Sequence, residues 1–180
     1  MSNCCDEPQK TVKGTSPLSF LPLIGGIFIS VAVIFGIILA TSGGSSKLTQ
    51  SANAQVYNDH LEYAWGEIGI NSGEAVHEFE IENRGTNVLE LTNVLTSCAC
   101  TTARITIEGK ASPYFGMHST SSWIGRLEPG QTATLSVVFD PLFHGPDGLG
   151  PIERFIAVET NDPQNPRLEF KLTGNVVKKD

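Results

Sequence analysis

Alternation of apolar and polar side chains, with a period of two residues, dominates the chain from about residue 61 onward. Phe79 and Ile81 alternate with glutamates, and Phe170 and Leu172 repeat the pattern near the C-terminus. The segment 132–139 is the clearest case, with apolar side chains at Ala133, Leu135, Val137 and Phe139. Because successive side chains of a strand point to opposite faces, this pattern predicts half-buried β-strands.

Turn-forming residues separate the alternating segments at short intervals. Asn83 to Asn87, Leu127 to Gly130 and Asn161 to Pro166 each concentrate Asn, Asp, Gly or Pro, the residues that end strands. Counting between such turns gives about seven short strands, and no long amphipathic helix pattern interrupts them. The predicted fold class is therefore all-β, an antiparallel β-sandwich.

An uninterrupted apolar run precedes the predicted sandwich. Phe20 to Ala40 spans 21 residues, and no charged residue lies between Lys13 and Lys47. As a helix that rises about 1.5 Å per residue, the run measures about 31 Å, the thickness of the hydrocarbon core of a bilayer. It predicts one N-terminal transmembrane α-helix. The predicted order is a polar tail, this helix, a linker and the sandwich, at residues 1–17, 18–41, 42–58 and 59–180.

A cleaved secretory signal peptide is the alternative to an anchor. Ala52 to Ala54 resembles a small-residue cleavage site, but this site lies 14 residues beyond the end of the apolar run at Ala40. Signal peptides have shorter apolar regions, of about 7–15 residues. We therefore favour an uncleaved anchor.

The distribution of charge predicts an orientation and excludes some partners. Lys10 and Lys13 flank the amino side of the apolar run closely and only Lys47 flanks the other side, which places the N-terminus in the cytoplasm. The chain would then cross the cytoplasmic (inner) membrane once, with its C-terminal domain in the periplasm or outside.

Residues 55–180 carry 17 Asp and Glu against 9 Lys and Arg, so we expect no nucleic-acid partner.

Small residues recur at helical spacing within the apolar run. They let a second transmembrane helix approach closely, although Gly and Ala are common in membrane helices in any case. Other membrane-protein subunits are the partners that helix packing of this kind predicts. The stripe consists of Gly26, Ser30, Ala32, Gly36 and Ala40.

Several motifs, taken in order, resemble a known family. They are the segments Phe79 to Gly85, Leu89 to Leu91, Thr96 to Thr102, Leu127 to Gln131 and Val158 to Pro163. Their order is similar to that of a bacterial envelope Ig-like family, a domain of unknown function with a Ser-Cys-x-Cys-Thr motif, related to major-sperm-protein and Hydin-type domains. The resemblance implies an Ig-like sandwich and brings no established activity. Residues 109–126 and 141–148 are longer than is usual in the family, and such insertions often carry function.

Cys98 and Cys100 are the sharpest chemical feature of the chain. On a strand, side chains two residues apart share a face, so both sulfurs could reach one soft metal ion or each other. Two loops add Met117, His118 and His144. Thiolate, thioether and imidazole together are the ligands that suit copper, so these five residues form a candidate copper site.

Three interpretations of the two cysteines remain open at this stage. The first is structural, with both side chains acting as small buried residues at a tight turn. The second is a redox pair, because a spacer of one residue strains the disulfide ring and makes the bond easily reduced. The third is the copper site.

Protein binding is the function predicted first. The sequence has no Gly-x-Ser-x-Gly, no phosphate-binding loop and no His-Glu-x-x-His, so we expect no nucleotide, no cofactor and no catalysis other than thiol redox chemistry. We predict an accessory or structural subunit of a larger membrane complex, for example one of electron transfer or photosynthesis. The alternative is an anchored thiol-redox or copper-binding envelope protein that uses Cys98 and Cys100.

Overall fold

The alternating segments pair into two five-stranded sheets in the computed structural model, which describes residues 48–178. The first sheet has the order β1 (Val56–Tyr57), β3 (Ala75–Asn83), β8 (Thr132–Phe139), β5 (Thr101–Ile107) and β6 (Lys110–Ala111). The second has the order β2 (Glu62–Gly69), β10 (Arg167–Val177), β9 (Gly150–Thr160), β4 (Leu89–Thr96) and β7 (Gly125–Leu127). The predicted all-β sandwich is confirmed for these residues.

The inner faces of the two sheets hold the apolar residues of the alternating pattern. In β8 the side chains of Ala133, Leu135 and Val137 are fully buried, while the residues between them are partly exposed. Phe79 of β3 contacts Phe170 of β10 across the sandwich, with 4.8 Å between the ring centroids. Full burial of a phenyl side chain contributes about 1.5–3 kcal/mol, so such pairs hold the sheets together.

Strand number and direction differ from the prediction. Seven strands have 7 to 11 residues each, which matches the predicted seven, but β1, β6 and β7 add three strands of two or three residues. Segments this short cannot show alternation. In addition β2 runs parallel to β10, with Glu62 opposite Lys171, so the sandwich is mixed rather than wholly antiparallel. Alternation is the same for either direction of pairing.

The N-terminal predictions fall largely outside the described residues. The polar tail, the transmembrane helix and the five small residues of its stripe all precede residue 48. Between residues 48 and 178, no helix has the length and apolarity needed to cross a membrane. Part of the segment predicted as a linker packs on the sandwich: Ala54 is buried, Val56–Tyr57 forms β1, and the Ser51 amide donates to the Asn161 carbonyl over 2.9 Å.

The segment 51–55 lies directly against the turn between β3 and β4. The amides of Arg84 and Thr86 donate to the carbonyls of Gln55 and Asn53, over 2.8 and 2.9 Å. A Cβ atom added at Gly85 would collide with the Asn53 carbonyl oxygen and lie 2.6 Å from the Gln55 nitrogen. Only glycine leaves room for this close approach.

Gly85→Ala should therefore lower the free energy of unfolding by about 1–3 kcal/mol, because the added methyl group must displace backbone atoms. Urea denaturation of the purified chain measures the effect. Gly116→Ala is the matched control, since a Cβ there meets no atom within 4 Å. Equal stability of the two variants would show that the 51–55 segment is not held in this position.

Candidate thiol site

The two cysteines lie in a tight turn that crosses from one sheet to the other. β4 of the second sheet ends at Thr96 and β5 of the first sheet begins at Thr101. The Thr101 amide donates to the Cys98 carbonyl over 3.1 Å, and the Thr96 hydroxyl lies 3.1 Å from the same carbonyl oxygen. These hydrogen bonds close the turn.

Neighbouring strands fix the turn at both ends. The amide of Ser97 donates to the Phe155 carbonyl, and the Phe155 amide donates to the Ser97 hydroxyl, each over 2.9 Å. At the other end the Asp140 amide donates to the Cys100 carbonyl over 3.0 Å. The turn is therefore attached to β9 and to the residue that follows β8.

Cys98 and Cys100 are joined by a disulfide bond, with 5.3 Å between their Cα atoms. The two sulfurs differ in exposure, because Cys98 is half-buried whereas Cys100 is 3% exposed. They pack on a small apolar cluster at one end of the sandwich, separate from the main core. Its buried members, besides Cys100, are Ile68, Ile70, Phe139 and Val176.

A guanidinium group contacts the buried sulfur. The Nε–H of Arg154, in β9, donates to the Cys100 Sγ over 3.2 Å, and its guanidinium carbon lies 5.3 Å from the centre of the Phe139 ring. Burial lowers the pKa of Arg154 below its usual value, but an arginine remains charged at neutral pH. Cys100 therefore has a fixed positive charge beside it.

An imidazole lies beside the other sulfur. His144 Nε2 is 3.7 Å from Cys98 Sγ, on the exposed loop that follows β8. A local turn shapes this loop: the Leu142 amide donates to the Asp140 carboxylate over 2.9 Å, and the Gly145 amide to the Leu142 carbonyl over 2.8 Å. Each cysteine thus has its own basic neighbour: the exposed His144 lies beside Cys98 and the half-buried Arg154 beside Cys100.

The structure brings together three of the five candidate ligands. The sulfurs of Cys98 and Cys100 and a ring nitrogen of His144 all lie within 4.8 Å of one another. His118 is exposed and does not belong to this group, and Met117 is 39% exposed. Both lie in the 109–126 insertion, which contributes instead to the fold: Phe115 is buried and pairs with Ala103 of β5.

Arg154 is the residue of this site that the sequence did not reveal. It is 54 positions from Cys100, in a strand where an arginine between Glu153 and Phe155 has the appearance of an ordinary outward-facing charge. Only the pairing of β9 with β4, which sets Ile156 opposite Thr96, brings this part of the chain to the cysteine turn.

Removing the guanidinium should make the disulfide harder to reduce. Reduction creates thiolate character at both sulfurs, and a cation in hydrogen-bond contact favours the charged form. In a fixed glutathione buffer at pH 8, Arg154→Met should lower the ratio of reduced to oxidised protein by about tenfold, the effect of about 1.4 kcal/mol. Arg167→Met, an exposed site at the start of β10, is the control and should leave the ratio unchanged. An unchanged ratio in Arg154→Met would remove Arg154 from the site.

Comparisons with known proteins match this fold at a coarse level. A family model described as a protein of unknown function, DUF1573, matches residues 58–112, which include β2 to β5 and both cysteines. A crystal structure of a protein of unknown function from Porphyromonas gingivalis W83 is 21% identical with a TM-score of 0.53; the match covers 74% of this chain and 51% of that one. The chain thus spans about half the length of that structure.

A human domain is also similar in structure. The ASH / PapD-like domain of human CEP192 is 18% identical with a TM-score of 0.46, over 78% of this chain and 97% of the domain. No curated protein matches the sequence. The family model agrees with the resemblance over residues 58–112, and the Porphyromonas gingivalis structure agrees with the sandwich fold. The Ser-Cys-x-Cys-Thr motif and the envelope assignment stay predictions.

Proposed function

We propose that the sandwich is a protein-interaction module that exchanges its Cys98–Cys100 disulfide with thiols of a bound partner protein. One observation carries the proposal: the two bonded sulfurs differ in exposure, and each has a basic side chain at hydrogen-bonding or near hydrogen-bonding distance. A purely structural bond needs neither neighbour. Reactive cysteines are recognised by partial exposure in a positively charged environment.

The exposed sulfur is the site of attack in this proposal. A thiolate of the partner attacks Cys98 Sγ, and the bond between the two cysteines breaks as a mixed disulfide forms. Cys100 leaves as a thiolate, which the Arg154 Nε–H stabilises from 3.2 Å. The positive charge of Arg154 beside the leaving sulfur speeds the exchange, because a better-stabilised thiolate departs faster.

A second partner thiolate then attacks the partner's own sulfur and releases Cys98. The His144 Nε2 atom lies 3.7 Å from Cys98 Sγ in the oxidised form, close enough to interact with the released thiolate. In the net reaction the partner's dithiol becomes a disulfide and Cys98–Cys100 becomes a dithiol. Two electrons and two protons pass from the partner to the sandwich.

Glutathione tests the roles of the two cysteines directly. The experiment uses the full-length chain in detergent, with Cys4→Ser and Cys5→Ser so that only the turn can react. Cys100→Ser leaves the half-exposed Cys98 and should form a mixed disulfide with oxidised glutathione at least ten times faster than Cys98→Ser, which leaves the buried Cys100. Mass spectrometry after rapid acid quenching gives both rates.

Two outcomes would contradict the exchange mechanism. One is an equal rate for the two single variants, which would mean that exposure and neighbours do not select Cys98. The other is a parent protein that stays fully oxidised in excess reduced glutathione, which would make the disulfide a structural bond.

We also propose that the chain is an accessory subunit of a larger membrane complex, with the sandwich outside the cytoplasmic membrane. Support comes from the apolar run Phe20 to Ala40 and from the disulfide, since such bonds persist mainly in oxidising compartments. Gentle solubilisation of native membranes, followed by separation of intact complexes and mass spectrometry, tests this. Constant stoichiometry with an electron-transfer or photosynthetic complex is expected, and migration of the chain alone would contradict it.

A further inference from the structure

We propose that the reduced thiol site binds one Cu(I) ion through Cys98 Sγ, Cys100 Sγ and His144 Nε2. The proposal rests on the exchange function in one respect only, that the disulfide can be reduced in the folded protein. Thiolate and imidazole are ligands that Cu(I) prefers, and the sulfurs of this pair are soft donors. The candidate ligands Met117 and His118 are not used.

The distances between donor atoms suit a three-coordinate ion. Bonds of about 2.0–2.3 Å from an ion to three ligands in one plane hold those ligands about 3.8 Å apart. Cys98 Sγ and His144 Nε2 are already 3.7 Å apart, and all three donors lie within 4.8 Å. Once the disulfide is open, the two sulfurs need only separate to a similar distance, which the 5.3 Å between their Cα atoms allows.

The charges of the site favour a monovalent ion. Two thiolates, a neutral imidazole and Cu(I) together carry one negative charge, and the guanidinium of Arg154 beside Cys100 balances it. With Zn²⁺ the complex of the same three ligands would be neutral. The charge of the half-buried Arg154 would then have no opposite charge to balance it, which costs free energy. Zinc also prefers four ligands, and the group of His, Cys, Asp and Glu donors found between residues 48 and 178 has three members.

The surroundings of the sulfurs favour the reduced ion as well. Cys100 packs against Phe139 and Ile68 in the small apolar cluster, which keeps water from one side of the site. The side of the site at His144 is open to solvent. The apolar side at Cys100 favours a soft, low-charge ion over a strongly hydrated divalent ion.

Binding is confined to the dithiol form. Each thiol releases one proton as the ion binds, so uptake of one Cu(I) liberates two protons and involves no electron transfer. Oxidation of the two sulfurs to the disulfide, with two electrons passing to a partner disulfide, removes both thiolate ligands. The same reaction that oxidises the site therefore releases the ion.

Competitive titration tests the site. The full-length chain with Cys4→Ser and Cys5→Ser, in detergent, is reduced under anaerobic conditions with a phosphine and titrated with Cu(I) against the chromogenic chelator bicinchoninate. One Cu(I) per chain should bind to the reduced protein and none to the oxidised protein. His144→Gln should lower the affinity at least tenfold, whereas the matched variants His118→Gln and Met117→Leu should bind as the parent does.

X-ray absorption of the loaded protein should give two sulfurs and one nitrogen around copper. Affinity unchanged in His144→Gln, or lost equally in His118→Gln, would overturn the ligand set, and so would tighter binding of Zn²⁺ than of Cu(I). Exchange with glutathione that persists without copper binding would overturn the copper site alone. Copper binding without exchange would overturn the proposed function alone, and a bond that resists even the phosphine in the folded protein would overturn both.

Discussion

Asp162→Ala should lower the free energy of unfolding by about 3–4 kcal/mol. The carboxylate of Asp162 is 1% exposed and accepts three hydrogen bonds, from the Val56 amide at 3.1 Å, the Gln164 amide at 2.8 Å and the Asn165 side chain at 3.0 Å. It thereby joins β1 to the turn between β9 and β10. Removing the carboxylate leaves the buried Val56 amide and two part-buried donors without a partner, and an unsatisfied buried group costs about 1–3 kcal/mol.

Thermal and urea denaturation measure this loss, with Asp147→Ala as the control. Asp147 lies exposed on the loop after β8, so its removal should change stability by no more than about 0.5 kcal/mol. Comparable losses in both variants would mean that the removal of one negative charge, rather than of the three hydrogen bonds, explains the effect.

The contribution of Asp162 should depend on pH in the acid range. Burial alone raises the pKa of this carboxyl, but the hydrogen bonds from Asn165, Val56 and Gln164 outweigh burial and hold the pKa below its usual 3.8. The unfolded chain therefore binds the proton more readily than the folded one. The stabilisation is complete above about pH 4–5 and is lost as the pH falls through the folded-state pKa. The difference between parent and Asp162→Ala should accordingly be constant from pH 5 to 8 and shrink below pH 4.

Phe170→Ala is the second substitution with a large expected effect, a loss of about 3–5 kcal/mol. Phe170 is fully buried in the central region of the second sheet and meets Phe79 of the first sheet. Truncation removes apolar contact and leaves a cavity between two sheets that cannot collapse onto each other without moving whole strands. A loss of this size is a large part of the stability of a domain, about 5–15 kcal/mol.

Phe143→Ala is the matched control, because the same side chain is 51% exposed there. We expect it to change stability by less than about 1 kcal/mol in the same denaturation experiment. If Phe170→Ala were equally mild, the two sheets would not be held together by this pair.

The long strands could be predicted from sequence, because burial of one face imposes the alternation that the sequence shows. The alternating apolar residues of β3, β8 and β10 do face the core. β2 fits the pattern less well: its Tyr63 has polar or small neighbours on both sides, yet it is 36% exposed. An edge strand has one neighbour instead of two, and a local pattern does not tell an edge from a centre.

The site could be predicted only in part, since it depends on contacts between distant residues. The proximity of Cys98 and Cys100 follows from their spacing alone. His144 lies close to the two cysteines and His118 does not. This difference depends on the course of two loops, which carry no periodic pattern. Arg154 required knowledge of the strand register, because a shift of one residue would turn it to the opposite face.

The pairing of β2 with β10 has a consequence for the order of folding. Glu62 and Lys171, which lie opposite each other, are separated by more than a hundred residues, and β10 occupies the place between β2 and β9. Until the last strand has been synthesised, β2 has no partner in its sheet and the edge of β9 stays open. Contacts between residues this distant along the chain form slowly, and the strand edges stay unpaired until they have formed. The domain is therefore expected to reach its native state only after β10 has emerged from the ribosome.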